Sequence, residues 1–231
     1  MRIGIVAYEG CFATEVFAVS DFLRIANHVA RDNGTAAGAL FRTSVVAASP
    51  EPVTVAGGFT IEARPWRHGF DLLVVPGFEL TPATDLDVRL ADRSREIDFL
   101  RTAGRRGTRI ASVCVGAFLL GEAGLLDERR CTTSWLFAST LARRYPQSTV
   151  CAESLIVTDD RITTTAAFTA SLDLATTIVR DHLAPTSRGP PRASPWCRRT
   201  GPARRRTWSS PWWRRRPGRS RSRSSAGWSI T

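Results

Sequence analysis

Cys114 is the residue whose setting most suggests chemistry. It sits in residues 109–124, RIASVCVGAFLLGEAG, where a β-branched apolar run ends at the cysteine and a second apolar run begins just after it. Ala111, Ser112, Gly116 and Ala117 flank it with small side chains. A strand that turns sharply into a helix pushes the side chain at the bend into the open, provided its neighbours are small; this is a nucleophile elbow. A helix amino end would also aim free N–H groups and a positive dipole at the sulfur, which predicts a lowered thiol pKa. The competing reading is a small buried hydrophobe that happens to end a strand. The succession of strand, small-residue turn and helix favours the elbow.

Other candidates are weaker. Cys11 follows the first apolar run and is placed to line a pocket there, whereas Cys131 reads as a buried thiol. Thr163, Thr164 and Thr165 offer hydroxyls, although simple β-propensity explains them equally well. His28, His68 and His182 are the three histidines, and His68 reads as a surface loop residue. Trp135 and Phe137 read as packing or dimer-surface aromatics. The chain has no phosphate-loop motif and no His, Cys and Asp cluster with metal-ligand spacing, so neither a metal nor a cofactor is expected.

The elements that must position Cys114 follow from periodicity. Residues 2–8, 42–48, 71–75 and 109–113 are short apolar runs that suit buried strands, and 53–63 suits a hairpin turned at Gly57-Gly58. Residues 11–30, 88–103, 115–123, 134–145 and 169–183 carry apolar residues in steps of three and four, which predicts helices, with Ser134 a candidate N-cap. Residues 154–159 and 161–165, turned at Asp159-Asp160, suit two short strands. Strands alternating with helices imply a mostly parallel sheet covered on both faces. Such sheets bind ligands beyond the carboxyl ends of their strands, so the turns after Tyr8, Val75 and Val113 should converge.

Charge divides the chain. All 32 basic residues are arginine. Residues 186–231 hold thirteen of them, with five tryptophans, six prolines and no acid, while residues 1–185 are close to neutral. The first part is read as the folded domain and the second as a disordered arginine-rich tail. An arginine-rich, tryptophan-interleaved arm would suit single-stranded nucleic acid. The genetic code favours another origin. Trp196-Cys197-Arg198-Arg199, written TGG TGC CGC CGG and read from its third base, becomes Val-Pro-Pro. The tail is therefore read as a frameshift product. The odd count of five cysteines argues against a disulfide scaffold and for a reducing cytoplasm. The apolar runs are too short to cross a membrane.

Residues 109–126, continuing into DERRCTTSW at 127–135, with DLLVVPG at 71–77 and TAAFTASLD at 165–173, resemble the ThiJ/PfpI family of class I glutamine amidotransferase-like domains. Within it the chain is most similar to the branch fused to AraC-type helix-turn-helix regulators, the GlxA-like regulators, over residues 1–185. The resemblance implies a flavodoxin-like α/β sandwich with Cys114 at its elbow and Glu15 as the acid that contacts the thiol. It implies an anion or oxyanion pocket built from backbone N–H groups around Gly77, Phe78, Val115 and Gly116. Three positions depart from the family pattern. Hydrolytic members have histidine where this chain has Val115. The regulator motif T-T-H-W reads Thr132-Thr133-Ser134-Trp135 here. Phe78 stands where enzymatic members have a second glycine.

These departures leave a Cys–His dyad without a visible base. The expectation is a ligand-sensing or regulatory domain of an AraC-type regulator that lacks its DNA-binding half. It binds a small molecule at Cys114, forms a homodimer, and binds neither specific DNA nor membrane as it stands. The alternative is a stand-alone cysteine-dependent enzyme of the same superfamily, of isonitrile hydratase, glyoxalase or amidase-like type, with Cys114 and Glu15 as its catalytic pair.

Overall fold

The computed structural model describes residues 1–35, 38–80 and 86–183. The tail at 186–231 lies outside the described residues. A seven-stranded sheet forms the centre. In chain order its strands are β1 (Arg2–Val6), β2 (Arg42–Ala47), β5 (Arg64–Pro65), β6 (Leu72–Val75), β7 (Arg109–Ser112), β10 (Ile156–Asp159) and β11 (Ile162–Thr165). Two small ribbons complete the strand set, β3 (Val53–Thr54) with β4 (Thr60–Ile61), and β8 (Arg130–Cys131) with β9 (Thr149–Val150). The spatial order is β10-β11-β7-β6-β1-β2-β5, parallel throughout except for the β10–β11 hairpin.

Successive strand residues point to opposite faces of a sheet. All four residues of β6 and four of the five in β1 are buried, so both faces are covered. The covering helices are α1 (Ala13–Asp32), α2 (Leu86–Ala91), α3 (Ser94–Arg105), α4 (Ala117–Glu122), α5 (Ala138–Arg144) and α6 (Ala170–Leu183). Helix α1 packs on α6, and α3 on α4. The architecture is the expected α/β sandwich. Among the described residues no helix is long and apolar enough to cross a membrane.

Strand β1 lies between β2 and β6. The chain moves outward from β1 to β2 and then returns to the other side at β6. Sheets of this kind take ligands at such a reversal, beyond the carboxyl ends of the strands on either side, here β1 and β6. The hairpin expected at 53–63 is present, with Gly57 and Gly58 at φ 87° and 79°.

Three expectations are corrected. The single helix expected at 88–103 is two, α2 and α3, because Arg93 at the junction (φ −107°, ψ 19°) leaves helical geometry and turns its guanidinium to the Glu9 carbonyl. Its inward residues Leu90, Ile97, Leu100 and Ala103 are nevertheless all buried. The helix expected from 134 begins only at Ala138, so Ser134 caps nothing; a turn closed by the Phe137 N–H on the Ser134 carbonyl (2.9 Å) precedes it. The helix after the elbow starts as a tight 3₁₀ turn over Cys114–Gly116 before α4.

Leu73 is 1% exposed at the sheet centre, its strand flanked by β1 and β7. Leu73→Ala should cost about 3 kcal/mol in urea denaturation, as lost transfer energy plus the cavity left behind.

Candidate active site at the Cys114 elbow

Strand β7 ends at Ser112, and Val113 stays extended, its N–H donating to the Val75 carbonyl at 2.9 Å. The next residue reverses the backbone: Cys114 has φ 54°, in the left-handed region. A non-glycine residue there is strained by about 1–2 kcal/mol and persists only where its surroundings enforce it. Two glycines and a threonine do so. A Cβ on Gly116 would stand 2.7 Å from both the Val75 and Pro76 carbonyl oxygens, so only glycine lets the turn sit on the end of β6. A Cβ on Gly77 would stand 3.2 Å from the Cys114 Cβ and 3.3 Å from the Val115 N. The Thr133 hydroxyl donates to the Cys114 carbonyl at 2.7 Å. The side chain of Cys114 is half-buried rather than sealed in the core.

Glu15 reaches this point from the first turn of α1. It is fully buried. Its Oε2 accepts the Gly77 N–H at 2.5 Å, while the Phe12 N–H at the start of α1 donates to the Gly77 carbonyl at 2.9 Å. Gly77 is therefore held at both its N–H and its carbonyl by the beginning of α1. Oε1 of Glu15 has no hydrogen-bond partner. Burial raises the carboxyl from 4.5 to about 7, against the Gly77 N–H, which favours the charged form. Near neutral pH the group is close to half protonated.

The sulfur does not behave as a helix amino end predicts. Burial, and then the charge of Glu15, push the Cys114 thiol up from 9.0 to about 11. The Val115 N–H and the Ser134 hydroxyl oppose the rise without reversing it. The expected dipole effect is small because the helix behind the 3₁₀ turn is only six residues long.

The residues singled out from sequence fall as follows. Cys114, Glu15, Gly77, Val115 and Gly116 come together. The Gly77 N–H, expected as a pocket donor, is engaged by Glu15. Phe78 is buried, set edge-on to Tyr8 at 6.4 Å, and pairs with Cys11 through a β-bridge. Cys11 is buried too, and burial raises its thiol to about 11. Cys131 lies in the core as expected. Thr164 and Thr165 support the elbow from below: Thr164 Oγ1 accepts the Thr132 N–H at 2.7 Å, and Thr165 donates to the Ser112 carbonyl at 3.2 Å. Trp135 is 71% exposed, so it is not a packing residue.

None of the histidines reaches the elbow. His182 senses Met1, Asp71 and Arg109, at the amino ends of the strands, and its ring lies 5.0 Å from Phe41. His68 precedes β6 at the same end. His28 is exposed and lies about 20 Å along α1 from Glu15. Thr133 and Ser134, noted in sequence only as part of a departing motif, with Ser134 read as a helix N-cap, meet the elbow directly. Among the described residues no group of His, Cys, Asp and Glu suits a metal.

A cysteine on a left-handed bend, a buried glutamate beside it and a doubly covered parallel sheet define a class. The DJ-1/PfpI family model matches residues 1–198, and the chain belongs to that family. A Streptomyces lividans protein described as an uncharacterized protein in the cpoL 5′ region is 32% identical over 63% of this chain and 95% of its own length. The HTH-type transcriptional regulator CdhR of Pseudomonas aeruginosa is 33% identical over 66% of this chain, which spans 42% of that regulator. Among solved structures, a ThiJ/PfpI family protein from Pseudomonas syringae has a TM-score of 0.62 at 26% identity, over 78% of this chain and 68% of that one. An AraC family transcriptional regulator from Pseudomonas putida shares the fold, with a TM-score of 0.63 at 22% identity over 79% of this chain and 92% of that one. The domain thus shares its fold with an AraC family transcriptional regulator and its family with DJ-1/PfpI proteins.

Two predictions follow from the geometry. Gly116→Ala should lose about 2–4 kcal/mol by denaturant titration, since its methyl meets two backbone oxygens that cannot move aside. Glu15 titrates near 7 folded and about 4.3 unfolded. Between those values the folded chain holds the extra proton, so stability falls as pH rises from about 4 to about 7 and is level above. The drop across the whole window should be about 4 kcal/mol. Glu15→Gln, neutral at every pH and still an acceptor for Gly77, should abolish it in urea melts at pH 5 and pH 8.

Proposed function

We propose that residues 1–183 act as a ligand-sensing domain of the AraC-type regulator kind, binding a small molecule in the crevice at Cys114 without turning it over. The observation that carries this reading is a thiol held protonated, with no histidine near it to take its proton. A nucleophilic cysteine needs a lowered pKa or an adjacent base. Cys114 has a raised pKa and no histidine beside it, and its ionisable neighbour Glu15 is neutral in about half the molecules at pH 7 and has Oε2 committed to the Gly77 N–H. The similarity to CdhR over two thirds of this chain supports the same reading. We further propose that the domain is a cytoplasmic homodimer; the exposed Phe17, Ile25 and Val29 on α1 support a second protein surface there.

One observation favours the enzyme reading. Strain at φ 54° is the kind of feature that clusters at catalytic centres. Alkylation by iodoacetamide against pH separates the two. The sensor reading expects Cys114 to label with an apparent pKa near 11 and expects no Cys114-dependent turnover of an isonitrile or of methylglyoxal. A pKa below that of a free thiol, about 8.5, or turnover lost in Cys114→Ser, would establish the enzyme instead.

A further inference from the structure

We propose that Arg89 and Arg93 form an oxyanion subsite beside Gly10, at the rim of the crevice, which takes the carboxylate or phosphate end of a small metabolite. The geometry is convergent. The point where a side chain would begin on Gly10 lies 3.9 Å from Arg93 Nη2 and 4.0 Å from Arg89 Nη1, so the two guanidinium groups come within about 8 Å of each other. Gly10 has φ 73° and no side chain to fill the space between them. Two like charges this close repel unless an anion joins them. Among the described residues no carboxylate lies within 4.0 Å of either. Glu9, the nearest in sequence, points its carboxylate at the Thr54 N–H instead (3.3 Å).

Arg93 is set in place beforehand. It is 8% exposed, donates from Nη2 to the Glu9 carbonyl, and holds its guanidinium carbon 5.5 Å from the Tyr8 ring centre. Its Nε is buried without a hydrogen-bond partner, a costly state for a charged donor. Glu96 lies close enough to feel the charge but forms no ion pair with it. Arg89 is half-buried and makes no hydrogen bond to a described residue, so it is available to a ligand. The subsite connects to the elbow through backbone. Gly10 precedes Cys11, Cys11 pairs with Phe78, and Gly77 packs on Cys114. A planar or tetrahedral oxyanion between two guanidinium forks receives charge-assisted hydrogen bonds from both.

This inference names a chemical class for the ligand and rests on the sensor reading only in linking the subsite to Cys114. The test uses the full chain at constant ionic strength, with sodium succinate and inorganic phosphate as probes and sodium chloride as reference. At ten times its Kd, the preferred anion should raise Tm by about 3 °C in the wild type and in Arg24→Gln, an exposed control. In Arg89→Gln the anion's Kd should rise at least tenfold, and the shift at the same concentration should fall to about 1 °C or less. The preference between succinate and phosphate tells carboxylate from phosphate. Failure of both anions to exceed chloride, or an undiminished shift in Arg89→Gln, would overturn the proposal. Iodoacetamide labelling of Cys114 in saturating anion gives the second readout. Slowed labelling supports one shared crevice. Unchanged labelling together with Arg89-dependent binding upholds the subsite and overturns its link to the Cys114 sensor site.

Discussion

A single buried carboxyl governs this site. Glu15 enters a dry region because α1 must bury Val16, Val19 and Leu23 against the sheet, and residue 15 falls on the same face. An ionised carboxylate there is expensive. Only one of its oxygens is compensated, by the Gly77 N–H. The remaining cost appears as a raised pKa, and the residual negative charge in turn discourages ionisation of Cys114. The two groups form one electrostatic unit in which at most one is comfortable as an anion. The elbow geometry is that of a nucleophile, while burial and the Glu15 charge raise the pKa of its thiol.

The fold delivers this pair by a short route. Reversal of strand order between β2 and β6 opens the crevice, and β7, next to β6, brings Cys114 to the same end. The loop after β1 is tied to the β3–β4 ribbon by two backbone hydrogen bonds, Gly10 N–H to the Thr54 carbonyl (2.8 Å) and Ala56 N–H to the Cys11 carbonyl (2.9 Å). The arginines above that loop come from α2 and the α2–α3 junction. Carboxylate and guanidinium therefore reach the neighbourhood of the Cys11–Phe78 pairing from different helices.

Much of this was legible in sequence. The strands at β1, β2, β6 and β7 stand out because apolar runs bounded by polar or glycine residues have few other uses, and the small residues around Cys114 announced the bend. Glu15 was found by family resemblance, since an acid on an apolar helix face carries no label of its own. The two-residue strands β5, β8 and β9 were invisible because two residues have no period. The split between α2 and α3 was hidden because Leu90, Ile97 and Leu100 keep one helical phase across it. Ser134 was misread because a serine before an apolar run looks like an N-cap whether or not a helix starts there. The thiol pKa was misjudged because a local helix argument sees neither the burial that chiefly raises it nor the added charge of Glu15.

The tight seating of Gly116 on the Val75 and Pro76 carbonyls, with Gly77 against Cys114, removes all slack from the bend. The sulfur's position is thereby insulated from its chemical surroundings. What this architecture leaves open is the pair 134–135, where Ser134 meets the thiol and Trp135 faces solvent, because Thr132 and Thr133 before it are tied to the sheet and the bend. Substitution at that short rim changes what meets the sulfur without touching the glycines that seat the strained turn beneath it.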